Sequence, residues 1–269
     1  VPVNEVQPSQ DYAALRRDPE YGQLNQRLLE FLALGGPRRL LDIGCGDGAV
    51  SEVLLDRDPG LALTGVDPEP GLLAEARARL EGRAEFHVGD AASVERLFPP
   101  ASFDSVVMAN CVHLVEELPA ALGAIHRVLE PGGRLVFNSA FYAGAELPAE
   151  LPVYAELIGA ARRAARARGL VLDRSAPAKT PGMRRSAEDY WEALAARGFT
   201  GITHAEESFT FSGGFLAALC GTPMFASAAL PGIDRNLAAE LLRESLRKQQ
   251  QKAPVTVTRR CLYFSAVRA

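Results

Sequence analysis

What this chain of 269 residues has little of narrows its function before any motif is read. It holds four cysteines, four histidines, three methionines and one tryptophan. Cys45, Cys111, Cys220 and Cys261 are scattered and form no CxxC pair. Reduced, buried thiols are therefore expected rather than a zinc ribbon or a disulfide framework. His87, His113, His126 and His204 lack metal-ligand spacing, so no metal is assigned. No apolar run reaches the roughly 18–20 residues of a membrane span. Residues 1–30 carry no basic-then-apolar leader pattern, which makes the cytoplasm the default expectation. An excess of one charge is missing too. Twenty-nine basic and 33 acidic residues leave a formal −4, with no global attraction to nucleic acid or an anionic membrane.

What is present reads as an α/β protein. Hydrophobic residues make up 48% and charged residues 23%, an ordinary globular balance. Residues 11–34 are expected to be helical, with Leu24, Leu28, Leu29, Phe31 and Leu32 at helical spacing before Gly35-Gly36-Pro37. Five short apolar strands follow, at 40–43, 61–66, 84–88, 103–109 and 134–141. Helical stretches at 48–57, 68–80 and 116–129 lie between them, the last stopping at Pro131-Gly132-Gly133. That rhythm predicts βαβ units and a parallel sheet covered on both faces. Beyond residue 141 the rhythm changes. Helices are expected at 149–168, 186–197 and 234–251, with Ser186 and Asp189 as a capping box. Strands at 202–211 and 255–267 are expected to form an antiparallel sixth and seventh pair.

The most informative stretch is Leu40-Leu41-Asp42-Ile43-Gly44-Cys45-Gly46-Asp47-Gly48, with Gly65-Val66-Asp67-Pro68 about twenty residues on. A strand that breaks into alternating glycines, followed by an acid ending the next strand, suits a nucleoside at the carboxyl edge of a parallel sheet. Glycines let backbone approach the ligand, and the acid accepts from ribose hydroxyls. Gly44, Gly46 and Ala49 also satisfy the dinucleotide fingerprint, so an NAD-type oxidoreductase stands as the alternative. Three features weigh against it. Asp42 sits where a cation is favoured and a pyrophosphate repelled. Gly89-Asp90-Ala91 ends the third strand with a carboxylate suited to an adenine amino group. The later helices replace a second mononucleotide-binding half.

Taken with Phe103-Asp104-Ser105-Val106-Val107-Met108-Ala109-Asn110 and Leu129-Glu130-Pro131-Gly132-Gly133-Arg134-Leu135, these motifs resemble the class I S-adenosylmethionine-dependent methyltransferases. The likeness is closest to the small-molecule, UbiE-like branch and covers about residues 36–141. It implies a Rossmann-like three-layer sandwich: a mostly parallel seven-stranded sheet, an antiparallel terminal strand, and helical insertions after strand 5 and between strands 6 and 7. One domain is expected. Its parts would be an N-terminal helical lid (1–35), a cofactor-binding core (36–141), a helical substrate cap (142–200 and 213–251) and terminal strands (202–212 and 254–268).

By the same resemblance Asp42, Gly44, Cys45 and Gly46 border the methionine end of S-adenosylmethionine. Asp67 holds the ribose, Pro68 packs near the adenine, and Asp90 and Ala91 meet the adenine edge. Asn110 lies near the methionine amino group or sulfonium, and Tyr12 near the carboxylate. Bland roles compete: Asp90 is also placed to cap a helix, Tyr12 to pack, and Cys45 to fill space under the turn.

Transfer of an already activated methyl group is chiefly alignment, which can contribute roughly 7–11 kcal/mol. His113, three residues after Asn110, is the candidate general base, with plain packing as its other reading. His126, among Leu122, Ile125 and Leu129, is expected to be structural. Asn110-Cys111-Val112-His113 is neither the Asn/Asp-Pro-Pro-aromatic run of amino-methylating nucleic-acid enzymes nor a Pro-Cys nucleophile. The basic helix bearing Arg162, Arg163, Arg166 and Arg168 reads as a solvated face before a phosphate-binding one. Apolar and aromatic residues after 141, from Tyr142 to Phe225, suit a small, partly apolar acceptor. A non-catalytic nucleoside-binding protein on the same fold is the remaining alternative. Oligomeric state is not legible.

Overall fold

A computed structural model describes residues 13–32, 38–173 and 184–269. Its contacts cluster into two compact units. One comprises Gln23–Ala145, 184–207 and Cys261–Ala269; the other comprises 13–22, 146–173 and 208–260.

A seven-stranded sheet runs in the order β3-β2-β1-β4-β5-β7-β6. The strands are β1 Arg39–Ile43, β2 Ala62–Asp67, β3 Glu85–Val88, β4 Phe103–Met108, β5 Leu129–Ser139, β6 Phe199–Ser212 and β7 Thr256–Arg268. β1 pairs in parallel with β2 on one side and β4 on the other; β2–β3 and β4–β5 are also parallel. β7 runs antiparallel to β5. Thr200 Oγ1 bonds the Val267 carbonyl (3.4 Å) and Thr210 meets Thr258 (3.0 Å), so β6 descends as β7 ascends. The seven strands, mostly parallel with one reversed, match the sequence expectation.

The chain leaves β1 toward β2 on one side and returns through β4 on the other. Strand order therefore reverses between β1 and β4, a switch point of the kind at which open α/β sheets bind ligands beyond the strands' carboxyl ends. Helices α3 (Ala49–Arg57), α4 (Pro70–Leu80), α5 (Val94–Leu97) and α6 (Leu118–Val128) connect these strands. Leu41, Val66, Val106, Ile125, Val128 and Phe137 are all buried in one continuous core. α8 (Ala187–Ala195) adds Tyr190 and Leu194 to it. Its capping box is complete: Asp189 N–H donates to Ser186 Oγ (3.1 Å) and Ser186 N–H to Asp189 Oδ2 (2.6 Å).

Two expectations need correction. The helix expected over 11–34 is divided into α1 (Ala13–Arg16) and α2 (Pro19–Leu29). Pro19 cannot continue α1, and Asp18 Oδ1 caps the new helix by accepting from Glu20 N–H (2.9 Å) and Tyr21 N–H (3.2 Å). β5 begins at Leu129 rather than 134, with Pro131-Gly132-Gly133 inside the strand. The register shift opposite Phe103 and Ser105, with Gly132 at φ 79°, absorbs the turn as a bulge.

In the other unit α7 (Leu151–Ala167) packs on α11 (Arg235–Gln250), beside α9 (Gly213–Leu219) and α10 (Pro223–Ala229). Phe211 and Phe215 stack at 4.0 Å between ring centres. Buried Arg259 donates to Tyr154 Oη (3.1 Å) and to Glu146 Oε1 (3.2 Å). Among the described residues no helix is long and apolar enough to cross a membrane.

Candidate cofactor site

The turn after β1 is built by backbone. Gly44, Gly46 and Gly48 all take positive φ (72°, 56° and 79°), the left-handed region that side chains disfavour. The Val66 carbonyl accepts from both Gly44 N–H (2.7 Å) and Cys45 N–H (3.2 Å), tying the turn to the end of β2. A Cβ on Gly44 would lie 2.7 Å from Cys111 Sγ. Its missing side chain therefore admits the β4 exit as well as any ligand. Cys45 is the packing residue of the turn, buried against Gly65, whose own Cβ would come within 2.8 Å of Cys45 Sγ.

Asp67, at the end of β2, locks this turn. Its Oδ2 accepts from Gly46 N–H (2.9 Å) and its Oδ1 from Glu69 N–H (2.9 Å). Pro68 beside it is exposed. Asp42, on β1, is wholly buried. Ser51 Oγ, on α3, donates to its Oδ2 (2.7 Å), and Oδ1 has no partner among the described residues. Burial, with the nearby charge of Asp67 adding to it, pushes the Asp42 carboxyl up to about 7 against the bond from Ser51. Asp47, in the same turn, pairs with Arg79 (3.1 Å).

Asp90 follows β3 and bonds locally without capping α5, whose N-cap is Ser93. Its Oδ1 accepts from Ser93 N–H (2.8 Å), while Ser93 Oγ accepts from Asp90 N–H (2.8 Å). The local role is thus real, although one bond does not exhaust the carboxylate. Ala91 is buried beside it. Tyr12 and Met183 lie outside the described residues.

At the β4 exit Asn110 adopts φ 51°. Its N–H donates to Asn138 Oδ1 (2.8 Å) and its Nδ2 to Asn25 Oδ1 on α2 (2.9 Å). Cys111 Sγ donates to the Ile43 carbonyl (3.1 Å), and burial raises the pKa of its thiol and that of Cys45. Neither is a ready thiolate nucleophile. His113 follows in a 3-10 turn, Val112–Leu114, and is buried. Its Nδ1 lies 3.1 Å from Ser139 Oγ, and its ring is 4.9 Å from that of Phe141. Ser139 Oγ also accepts from Phe141 N–H (3.0 Å). Arg185 braces this region by donating to the carbonyls of Val115 (2.8 Å) and Glu116 (2.7 Å).

Asp42, Gly44, Gly46, Asp67, Asn110 and His113 thus gather on the turns leaving β1, β2 and β4, with Ser139 at the end of β5. Sequence reasoning missed Ser51, Asn25, Asn138, Ser139 and Arg185. Only Asn138 carried a signal, as an amide closing an otherwise apolar strand. His126 is half-buried edge-on to Phe199 (5.3 Å), and burial lowers its pKa, which fits the structural role expected of it. Of the basic helix, Arg162 bonds the Ala229 carbonyl (2.8 Å) and Arg168 pairs with Glu244 (2.7 Å). That leaves little of a phosphate-binding stripe. Tyr142, Tyr154, Tyr190, Phe211 and Phe215 are buried as core. Among the described residues no group of three His, Cys, Asp or Glu could hold a metal ion.

The site's chemistry fits a nucleoside that carries positive charge. Asp42 Oδ1 is wholly buried without a partner among the described residues, the charge of Asp67 acts on it, and three glycines keep side-chain bulk in the adjoining turn low.

Comparison with known proteins agrees. Residues 41–137 match the family described as methyltransferase domain. A demethylmenaquinone methyltransferase of Thermus thermophilus is 38% identical over 132 residues, covering 44% of this chain and 60% of that protein. A trans-aconitate 2-methyltransferase of Methylobacterium nodulans is 41% identical over 111 residues, 40% of each. The chain thus spans 60% or less of these relatives' lengths. Among solved structures, a Haemonchus contortus phosphoethanolamine N-methyltransferase 2 in complex with phosphomonomethylethanolamine and S-adenosylhomocysteine superposes with a TM-score of 0.55. It is 23% identical, and the match covers 91% of this chain and 52% of that one, a likeness of fold.

Proposed function

We propose that this chain, whose residues 41–137 belong to the class I S-adenosylmethionine-dependent methyltransferases, moves a methyl group from that cofactor to a small, partly apolar metabolite. The observation that carries the reading is the pair of buried carboxylates, Asp42 on β1 and Asp67 at the end of β2, the latter bonded to Gly46 N–H in the glycine turn. When bound, the cofactor supplies an electrophilic methyl group on a positively charged sulfur. Every other contribution belongs to the chain. Asp67 is placed to accept from the ribose hydroxyls. Asp42, with the Gly44–Gly46 backbone, borders the methionine end, and its charge develops as the pH passes about 7. Pro68, Asp90 and Ala91 border the adenine. Asn110 presents its amide at the β4 exit.

His113 is the proposed general base. In the tautomer protonated at Nδ1, that nitrogen donates to Ser139 Oγ and Nε2 is the atom assigned to take the acceptor's proton. Acceptor recognition is assigned to the helical cap expected from the sequence, residues 142–200 and 213–251. The two curated relatives, one named for a quinone and one for a tricarboxylate, favour a small molecule over nucleic acid. A cytoplasmic location goes with that reading.

The test is transfer of isotopically labelled methyl from S-adenosylmethionine to a cell extract, with mass identification of the product. Calorimetry against S-adenosylhomocysteine and NAD runs alongside. Binding of the first and a labelled small molecule are expected. Tight NAD binding would establish the oxidoreductase alternative, and cofactor binding without transfer to any fraction the non-catalytic one.

A further inference from the structure

Asn138 stands near the carboxyl end of β5, completely buried, directly after the buried Leu135, Val136 and Phe137. An amide in such a place is unfavourable unless every polar atom is bonded. Here the bonds are specific. Oδ1 accepts from Asn110 N–H (2.8 Å), while Nδ2 donates to the Leu24 carbonyl on α2 (3.4 Å) and faces Cys261 Sγ (3.7 Å). Asn110 in turn holds φ 51°, a region that L-residues seldom occupy and asparagine tolerates best. Its side chain is also engaged at both ends: Nδ2 donates to Asn25 Oδ1 (2.9 Å) and Oδ1 accepts from Ala140 N–H (3.3 Å). Three asparagines, on α2, the β4 exit and β5, thus form one network.

We infer that Asn138 is a positioning residue: it holds Asn110 in its left-handed conformation and fastens α2 to the β4 exit. The inference deepens the proposed function and rests on its assignment of Asn110 to the cofactor site. Asn138 need not touch the cofactor to act. The Asn110 N–H depends on this amide for its bond, whereas the Leu24 carbonyl also accepts from Tyr263 Oη (3.3 Å), so losing Asn138 orphans the Asn110 N–H first. Remove the amide, and Asn110 relaxes toward common backbone angles. Only the fraction of molecules still in the left-handed form then binds, and apparent affinity falls by that fraction.

The test uses the whole chain and S-adenosylhomocysteine, which needs no acceptor. Calorimetry gives affinity, and hydrogen exchange gives protection of α2 and of residues 108–112. Asn138→Ala is expected to raise Kd about fivefold or more and to speed exchange in both segments. Asn138→Asp, which keeps an acceptor for Asn110 N–H, should recover most of the affinity. Asn25→Ala, at a half-buried helix position, is expected to loosen α2 and weaken binding about twofold. A folded Asn138→Ala protein with wild-type affinity and unchanged exchange at 108–112 overturns the inference. Should that variant not fold, unaltered affinity and α2 protection in Asn25→Ala overturn it instead. Failure of the unmutated protein to bind S-adenosylhomocysteine refutes the proposed function, and exchange at 108–112 then decides the clamp on its own.

Discussion

Replacing Asp42 by Asn should change how stability depends on pH, because this carboxyl keeps its proton far longer in the fold than in the unfolded chain. Burial is the main cause, the charge of Asp67 adds to it, and the Ser51 hydroxyl opposes it; the balance sits at about 7. An unfolded aspartate titrates near 3.9. Between these values the native state binds the extra proton, so stability falls as pH rises and the loss is complete above about 7. At about 1.36 kcal/mol per pH unit, passing from pH 5 to pH 8 costs the wild type about 2–3 kcal/mol through this one group. Asn cannot ionise, so the variant escapes that cost. Urea unfolding of both proteins at the two pH values isolates it, since every other titrating group cancels in the difference. The variant should gain on the wild type by about 2–3 kcal/mol between pH 5 and pH 8. A difference that does not move with pH would mean that Asp42 is ionised throughout, and the account of its burial would be wrong.

Asp67→Ala should weaken S-adenosylhomocysteine by tenfold or more, since charge-assisted hydrogen bonds are worth about 1.5–3 kcal/mol each. It should also lower thermal stability by orphaning Gly46 N–H and Glu69 N–H; unchanged calorimetric affinity would remove the ribose assignment. His113→Ala should cut turnover about 10²–10⁴-fold while cofactor Kd barely changes. Near-normal turnover would reduce His113 to a packing partner of Phe141. Gly44→Ala should destabilise by about 2 kcal/mol or more, from its left-handed backbone and its overlap with Cys111, as read from a denaturant midpoint. A variant as stable as the parent would show that the turn can rearrange.

Local signals made the sheet legible. β1, β2 and β4 are mostly buried and read as short, largely apolar runs interrupted by a few polar residues, and each glycine-bearing turn announces itself within a few residues. The break at Asp18-Pro19 was equally local, but helical spacing across Leu24, Leu28 and Leu29 outweighed it. β5 was misjudged at its start because Pro131-Gly132-Gly133 has the composition of a turn whether it ends a helix or bulges a strand. The site divides along the same line. Glycines and acids at strand ends are fixed by spacing, whereas their partners are fixed by folding. Ser51 reaches Asp42 from a helix, and Asn25 reaches Asn110 across 85 positions. No periodicity joins such pairs. Asp90 shows the reverse hazard, a residue whose ligand-like position also serves a local turn.

The carboxylates that looked like ligands turn out to be structural members first. Asp67 closes the glycine turn, and Asp42 anchors α3 through Ser51, before either meets a cofactor. That order matters for reading the site from sequence. A carboxyl that burial holds at a raised pKa is a weaker anion than its position two residues before Gly44 suggests. Charge therefore tells less strongly against a dinucleotide, and calorimetry against S-adenosylhomocysteine and NAD carries the decision between them.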